Sequence, residues 1–130
     1  QKQTYDDWEV IIVDNYSDDG TDEYAQRVTS EKIKYIKFRN GGNIGLSRNK
    51  GVELSTGYYL AFLDSDDWWC DEKLEKSIKI IKRCHYDITY HDCFIRGERI
   101  KRTTHGRILK SDSYQDLYSM EILSLPRAQY

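Results

Sequence analysis

The sequence predicts an α/β layer fold with a mostly parallel sheet flanked by helices. Three observations predict it. Two short apolar runs, Val10-Ile11-Ile12-Val13 and Tyr58-Tyr59-Leu60-Ala61-Phe62-Leu63, are rich in β-branched or aromatic side chains. Such runs suit strands covered on both faces. Candidate helices alternate with the candidate strands, which argues for crossover connections and a parallel sheet. Each run also ends in an acid, Asp14 and Asp64. Parallel strands bring those ends to one edge, where open α/β sheets bind ligands.

The first strand is expected over residues 9–14. Asn15 to Thr21 is dense in Asn, Ser, Asp and Gly and reads as a loop. Thr21 or Asp19 is a candidate cap for a short helix to about Thr29, with Asp22 and Glu23 at its positive end. Residues 33–38 alternate imperfectly and read as the second strand. Asn40-Gly41-Gly42-Asn43 breaks the chain before a helix from about Ile44 to Leu54, whose apolar spacing is poor. Ser55-Thr56-Gly57 ends it, and residues 58–63 form the third strand. Asp71 is the expected cap of a helix reaching about Arg83, with Leu74, Ile78 and Ile81 on one face. Glu72/Lys76 and Glu75/Lys79 stand in the favourable i,i+4 order. Tyr86 to Ile95 reads as a fourth strand, a turn at Gly97-Glu98 leads to a short fifth near Arg99–Thr103, and residues 112–123 suit one more helix.

Composition narrows the function. A chain of 130 residues holds one domain, with 38% apolar and 13% aromatic residues to build a core. Net charge is −2 with acids and bases interspersed, so the basic face of a nucleic-acid-binding domain is missing. Cys70, Cys84 and Cys93 are odd in number and not spaced as C-x-x-C, which argues against a disulfide framework and for a reducing cytoplasm. No apolar run reaches the ~20 residues that span a bilayer.

The chemistry-bearing feature is Asp64-Ser65-Asp66-Asp67. Three carboxylates in four residues repel one another unless something neutralises them. A divalent cation does so, and hard oxygen donors suit Mg²⁺ or Mn²⁺ bridged to substrate phosphates. A plain turn with capping aspartates is the simpler alternative. Trp68 and Trp69 either floor the site or belong to the core. Other metal patterns fit less well. The Asn15–Gly20 segment has Gln26 where a calcium loop needs an acid. Cys84, His85, His91 and Cys93 lack zinc-ligand spacing.

Three blocks together resemble one family. Gln3-Thr4-Tyr5 with Trp8 through Thr21, Asn43 through Gly51, and Gly57 through Trp68 match, in order and spacing, the blocks of family-2, GT-A-fold glycosyltransferases. The third carries the D-x-D motif. The resemblance covers roughly residues 1–95. It implies a GT-A-like sheet and transfer of a sugar from a nucleotide-diphosphate sugar to a glycan or lipid-linked acceptor, with inversion. It assigns Asp14, Asn15 and Ser17 to the nucleotide, Arg48 to the base or diphosphate, Asp64 and Asp66 to both nucleotide-sugar and metal, and Asp67 to the metal. A UDP-sugar is the implied donor. Asn15 replaces the second acid of the family's pair, so thymidine and guanosine stay open. The implied setting is bacterial polysaccharide or glycolipid assembly at the cytoplasmic face of the inner membrane, with peripheral association.

The family's general base is not identifiable here, since Asp112, Asp116 and Glu121 sit in no matching motif. The family's first strand precedes Gln3, so the expected fold lacks it and is a single partial domain over residues 1–130, with a gap in the sheet and little or no transfer activity by itself. Two alternatives remain: a non-catalytic nucleotide- or metal-binding fragment, and a haloacid-dehalogenase-type phosphatase suggested by Asp64-Ser65-Asp66. The latter expects a small hydroxyl residue where Trp68 stands.

Overall fold

The structure is a computed structural model that describes residues 2–91, together with the backbone of residues 94–96 and 101–103. Its elements run β1 (Val10–Asp14), α1 (Thr21–Val28), β2 (Ile33–Lys37), α2 (Ile44–Leu54), α3 (Lys73–Cys84), β3 (Phe94–Arg96) and β4 (Lys101–Thr103). The chain is α/β, with one parallel strand pair, one antiparallel pair and three helices among the described residues.

β1 and β2 pair in parallel from Val10↔Ile33 to Asp14↔Lys37, joined through α1 as a parallel pair requires. α1 begins where expected, but Gly20, at φ 84°, occupies the cap position. Asp19 still serves the helix end, accepting the Thr21 N–H at 3.1 Å and its hydroxyl at 2.5 Å. α2 is capped by Asn43, whose Oδ1 accepts the Gly45 N–H at 2.9 Å. None of its residues is buried, in keeping with its poor apolar spacing. It lies against β1, with Gly51 over Val13.

The core is built by α3. Leu74, Ile78 and Ile81 are at most 5% exposed. Tyr5, Trp8, Tyr59, Ala61 and Trp69 pack around Leu74 and Ile78. Burying each such aliphatic side chain contributes about 1.5–3 kcal/mol. The helix start departs from expectation. Glu72, not Asp71, is the cap residue, and its side chain makes no cap bond. Gln3, far away in sequence, supplies it: Oε1 accepts the Leu74 N–H at 3.0 Å while Nε2 donates to the Cys70 carbonyl at 2.8 Å. The Thr4 N–H donates to the Asp71 carbonyl at 2.9 Å. Of the two expected i,i+4 pairs, Glu72–Lys76 forms at 3.6 Å. Glu75 instead accepts the Thr4 hydroxyl at 2.6 Å.

Two strand expectations are corrected. Residues 58–63 are not a ladder strand. A strand needs a hydrogen-bonded neighbour as well as apolar side chains. Between this segment and β1 lies a cleft of about 120 Å³, lined by Glu9, Ile11, Val52, Tyr59, Leu60 and Phe62. β1 is accordingly half-buried, not covered on both faces, and Val10 is exposed. The expected fourth strand, Tyr86 to Ile95, is irregular over 86–91, and its strand is Phe94–Arg96. That strand pairs antiparallel with β4, where the short fifth strand was expected. A connection of so few residues permits only the antiparallel arrangement. Among the described residues, then, β1 and β2 form the parallel part of the expected sheet, and β3 and β4 form a separate antiparallel pair. The Gly97-Glu98 turn, the 112–123 helix, Cys93 and the acids Asp112, Asp116 and Glu121 lie outside the described residues. No helix among the described residues is long and apolar enough to cross a membrane.

Candidate functional site

The site begins where β1 ends. Asp14 is 5% exposed. Its Oδ1 accepts the Ser17 N–H at 3.1 Å and the Ser17 hydroxyl at 2.5 Å. Its Oδ2 accepts the Tyr35 phenol at 2.8 Å. Burial pushes the Asp14 carboxyl up, but the Ser17 and Tyr35 hydrogen bonds outweigh it and hold the group below its usual range. Tyr35 moves the other way, to about 12, because of desolvation and its bond to the carboxylate. Asp14 is thus a charged anchor that folds the following loop onto β2. Two residues singled out for the nucleotide, Asp14 and Ser17, hold each other.

The next link is Asn15. Its Oδ1 accepts the Asn40 N–H at 3.0 Å. That contact fixes the amide orientation, since only the oxygen can accept. Asn40 is itself buried: Nδ2 donates to Ser47 Oγ at 2.8 Å, and Oδ1 accepts the Gly42 N–H at 2.8 Å. Gly41 and Gly42 stand at φ 60° and 82°, where glycine alone fits freely. Three segments, the loop after β1, the turn after β2 and the first half of α2, are thereby tied into one unit. Tyr16, at φ 61°, lies beside it with the Arg39 guanidinium 4.4 Å from its ring.

α2 carries the connection onward. Arg48, one residue past Ser47, donates from Nη2 to Asp64 Oδ1 at 2.8 Å. Both side chains are about half exposed. This contact joins the D-x-D segment to α2. Asp66 and Asp67 are exposed, and the Asp67 N–H donates to the Asp64 carbonyl at 3.1 Å in a tight turn. Among the described residues, no three His, Cys, Asp or Glu side chains stand close enough to share a metal ion. The donor set is all carboxylate, which fits a hard divalent cation completing its shell from phosphates and water. Of the two adjacent tryptophans, Trp69 packs against the α3 core and Trp68 is exposed.

Sequence reasoning missed Asn40, Ser47 and Tyr35, the second layer that positions these side chains. Asn40 heads the Asn-Gly-Gly breaker cluster, and that was its available signal. Nothing local marks Tyr35, whose partner comes from the neighbouring strand. Glu9, at the opposite end of β1, was missed too. It accepts the Thr56 N–H at 2.5 Å, the Thr56 hydroxyl at 2.8 Å and Lys34 Nζ at 3.0 Å. Burial pushes Glu9 up, yet these bonds bring it down to about 2.

Comparison with known proteins identifies relatives of the chain. TuaG of Bacillus subtilis (strain 168), provisionally named a teichuronic acid biosynthesis glycosyltransferase, is 37% identical over 91 residues, covering 67% of this chain and 36% of that protein. The amylovoran biosynthesis glycosyltransferase AmsB of Erwinia amylovora is 37% identical over 90 residues, covering 63% and 29%. The UDP-Glc:alpha-D-GlcNAc-diphosphoundecaprenol beta-1,3-glucosyltransferase WfgD of Escherichia coli is 32% identical over 89 residues, covering 68% and 35%. The chain spans about a third of the length of these curated relatives. No solved structure matches it. Residues 1–125 match the family described as Glycosyl transferase family 2, a span that holds every residue of the Asp14–Asn15–Asn40–Arg48–Asp64 site, and the chain belongs to that family.

Proposed function

We propose that the chain is the nucleotide-sugar-binding part of a metal-dependent, inverting glycosyltransferase with a GT-A fold. The observation that carries this reading is the linkage, in a family-2 chain, of the loop after β1 to α2 and through Arg48 to Asp64. Family membership leaves the phosphatase alternative without support.

In this reading Asp14 and Ser17 shape the loop that meets the nucleotide, and Asn15 turns its amide N–H groups toward it. Asp64 and Asp66, with Asp67 beside them in sequence, would hold Mn²⁺ or Mg²⁺ together with the substrate phosphates. When bound, that ion offsets the charge of the departing nucleoside diphosphate. Arg48 donates to the same phosphates, its planar fork matching their oxygens. The acceptor hydroxyl is deprotonated by a carboxylate base, which no motif of this chain identifies. UDP is the preferred nucleotide, as for the UDP-Glc named in WfgD, and the acceptor is a glycan or a lipid-linked sugar, as that protein's diphosphoundecaprenol acceptor suggests. Such an acceptor places the enzyme at the cytoplasmic membrane face, peripherally bound, in polysaccharide biosynthesis.

Calorimetric titration of UDP with and without Mn²⁺ tests the reading. Binding is expected to require Mn²⁺ and to disappear in Asp66→Ala. Binding that ignores both the ion and the substitution sinks the metal assignment. Preference for TDP or GDP would reassign the base. Robust transfer by the isolated chain would overturn the view that it is a binding part alone.

A further inference from the structure

We propose that Arg48 is a two-partner residue: it holds Asp64 while the site lacks nucleotide, and hands that carboxylate to the metal only when a diphosphate takes the guanidinium. The proposal rests on the reading of Asp64 as a metal ligand.

Arg48 Nη2 lies 2.8 Å from Asp64 Oδ1. A cation entering by itself must compete with the guanidinium for that oxygen. A nucleoside diphosphate changes the balance, because its phosphate oxygens accept from guanidinium at least as well as a carboxylate does. Metal and nucleotide therefore help each other to bind, and the help is reciprocal. The latch is weak by construction. Its two side chains are 46% and 52% exposed. Water and salt screen such pairs, so the competition amounts to roughly a two- to fivefold effect on metal affinity. The neighbouring scaffold keeps Arg48 in place for either partner, since Ser47 is fixed by Asn40.

The test measures free Mn²⁺ by electron paramagnetic resonance over wild type, Arg48→Met, Asp64→Asn and Lys50→Met, with and without UDP. Lys50 lies on the same helix and pairs with Glu53, so its loss removes an equal charge without touching Asp64. Arg48→Met is expected to bind Mn²⁺ alone roughly two- to fivefold more tightly. The same variant should bind Mn²⁺ with UDP about tenfold more weakly, for want of a phosphate donor. Lys50→Met should resemble wild type in both. Changes of the same sign in the two Arg48→Met measurements would mean a structural role and overturn the latch. Equal tightening in Lys50→Met would reduce it to a general field effect and also overturn it. Asp64→Asn should weaken Mn²⁺ binding. If it does not, the metal reading of Asp64 falls, and the latch with it. If it does while Arg48→Met fails to tighten, only the latch falls.

Discussion

The Tyr35 phenol on β2 donates to Asp14 Oδ2 on β1 at 2.8 Å, so adjacent parallel strands are bridged at the edge where the candidate site begins. The bridge completes a carboxylate already held by Ser17. Asp14 therefore organises its loop before any ligand arrives.

Removing the Ser17 hydroxyl should loosen that loop. Ser17→Ala leaves a buried carboxylate short of one donor and is expected to cost about 1 kcal/mol in urea unfolding. UDP binding should weaken as well. Tyr35→Phe should shift both in the same direction. Unchanged stability and binding in both variants would show that Asp14 needs neither partner.

The acid limb of stability should depend on Glu9. Its carboxyl titrates near 2 when folded, against an ordinary value of 4.5. A depressed carboxylate adds stability in full above its unfolded value and loses it as pH falls through the folded one. Stability should thus decline between about pH 4.5 and pH 2. Glu9→Gln should flatten that part of a urea-midpoint profile. Asp14, lowered too, adds to the slope with the same sign. An unchanged acid limb in Glu9→Gln would assign it to other groups.

Gln3 is expected to stabilise α3 from a distance. Gln3→Ala strips the Leu74 N–H of its acceptor, a cap loss of about 1 kcal/mol. Thermal unfolding by circular dichroism at 222 nm provides the measurement. A melting temperature equal to wild type would mean water replaces Gln3 without penalty.

Ile78 tests the core. It is 5% exposed among aromatic neighbours. Ile78→Ala should cost about 2–5 kcal/mol through lost burial and the cavity left behind. That is a large share of the stability of a domain this size. Urea unfolding of Ile78→Val, expected to lose about 0.5–1.5 kcal/mol, gives the graded control.

Much of the fold was legible because its signals are local. β1, β2, α1 and the span of α2 follow from apolar runs, breaker residues and caps that lie within each segment. The buried stripe Leu74–Ile78–Ile81 follows from helical periodicity. Of the candidate site, Asp14 and Asp64 were visible at the ends of the two apolar runs, and Arg48 through the family resemblance. Their partners were not.

By itself the sequence determined the spans of α1, α2 and, within two residues, α3, the loop after β1, and which acids stand beside which apolar runs, because each of these depends on side chains within a few residues. Only the tertiary structure decided that Tyr58–Leu63 runs as irregular chain, that Gln3 caps α3, that Tyr35 completes Asp14, and that Arg48 reaches Asp64. Each is a hydrogen bond made, or left unmade, between groups distant in sequence. Its energy depends on whether folding brings donor and acceptor within about 3 Å, a distance that no local pattern encodes.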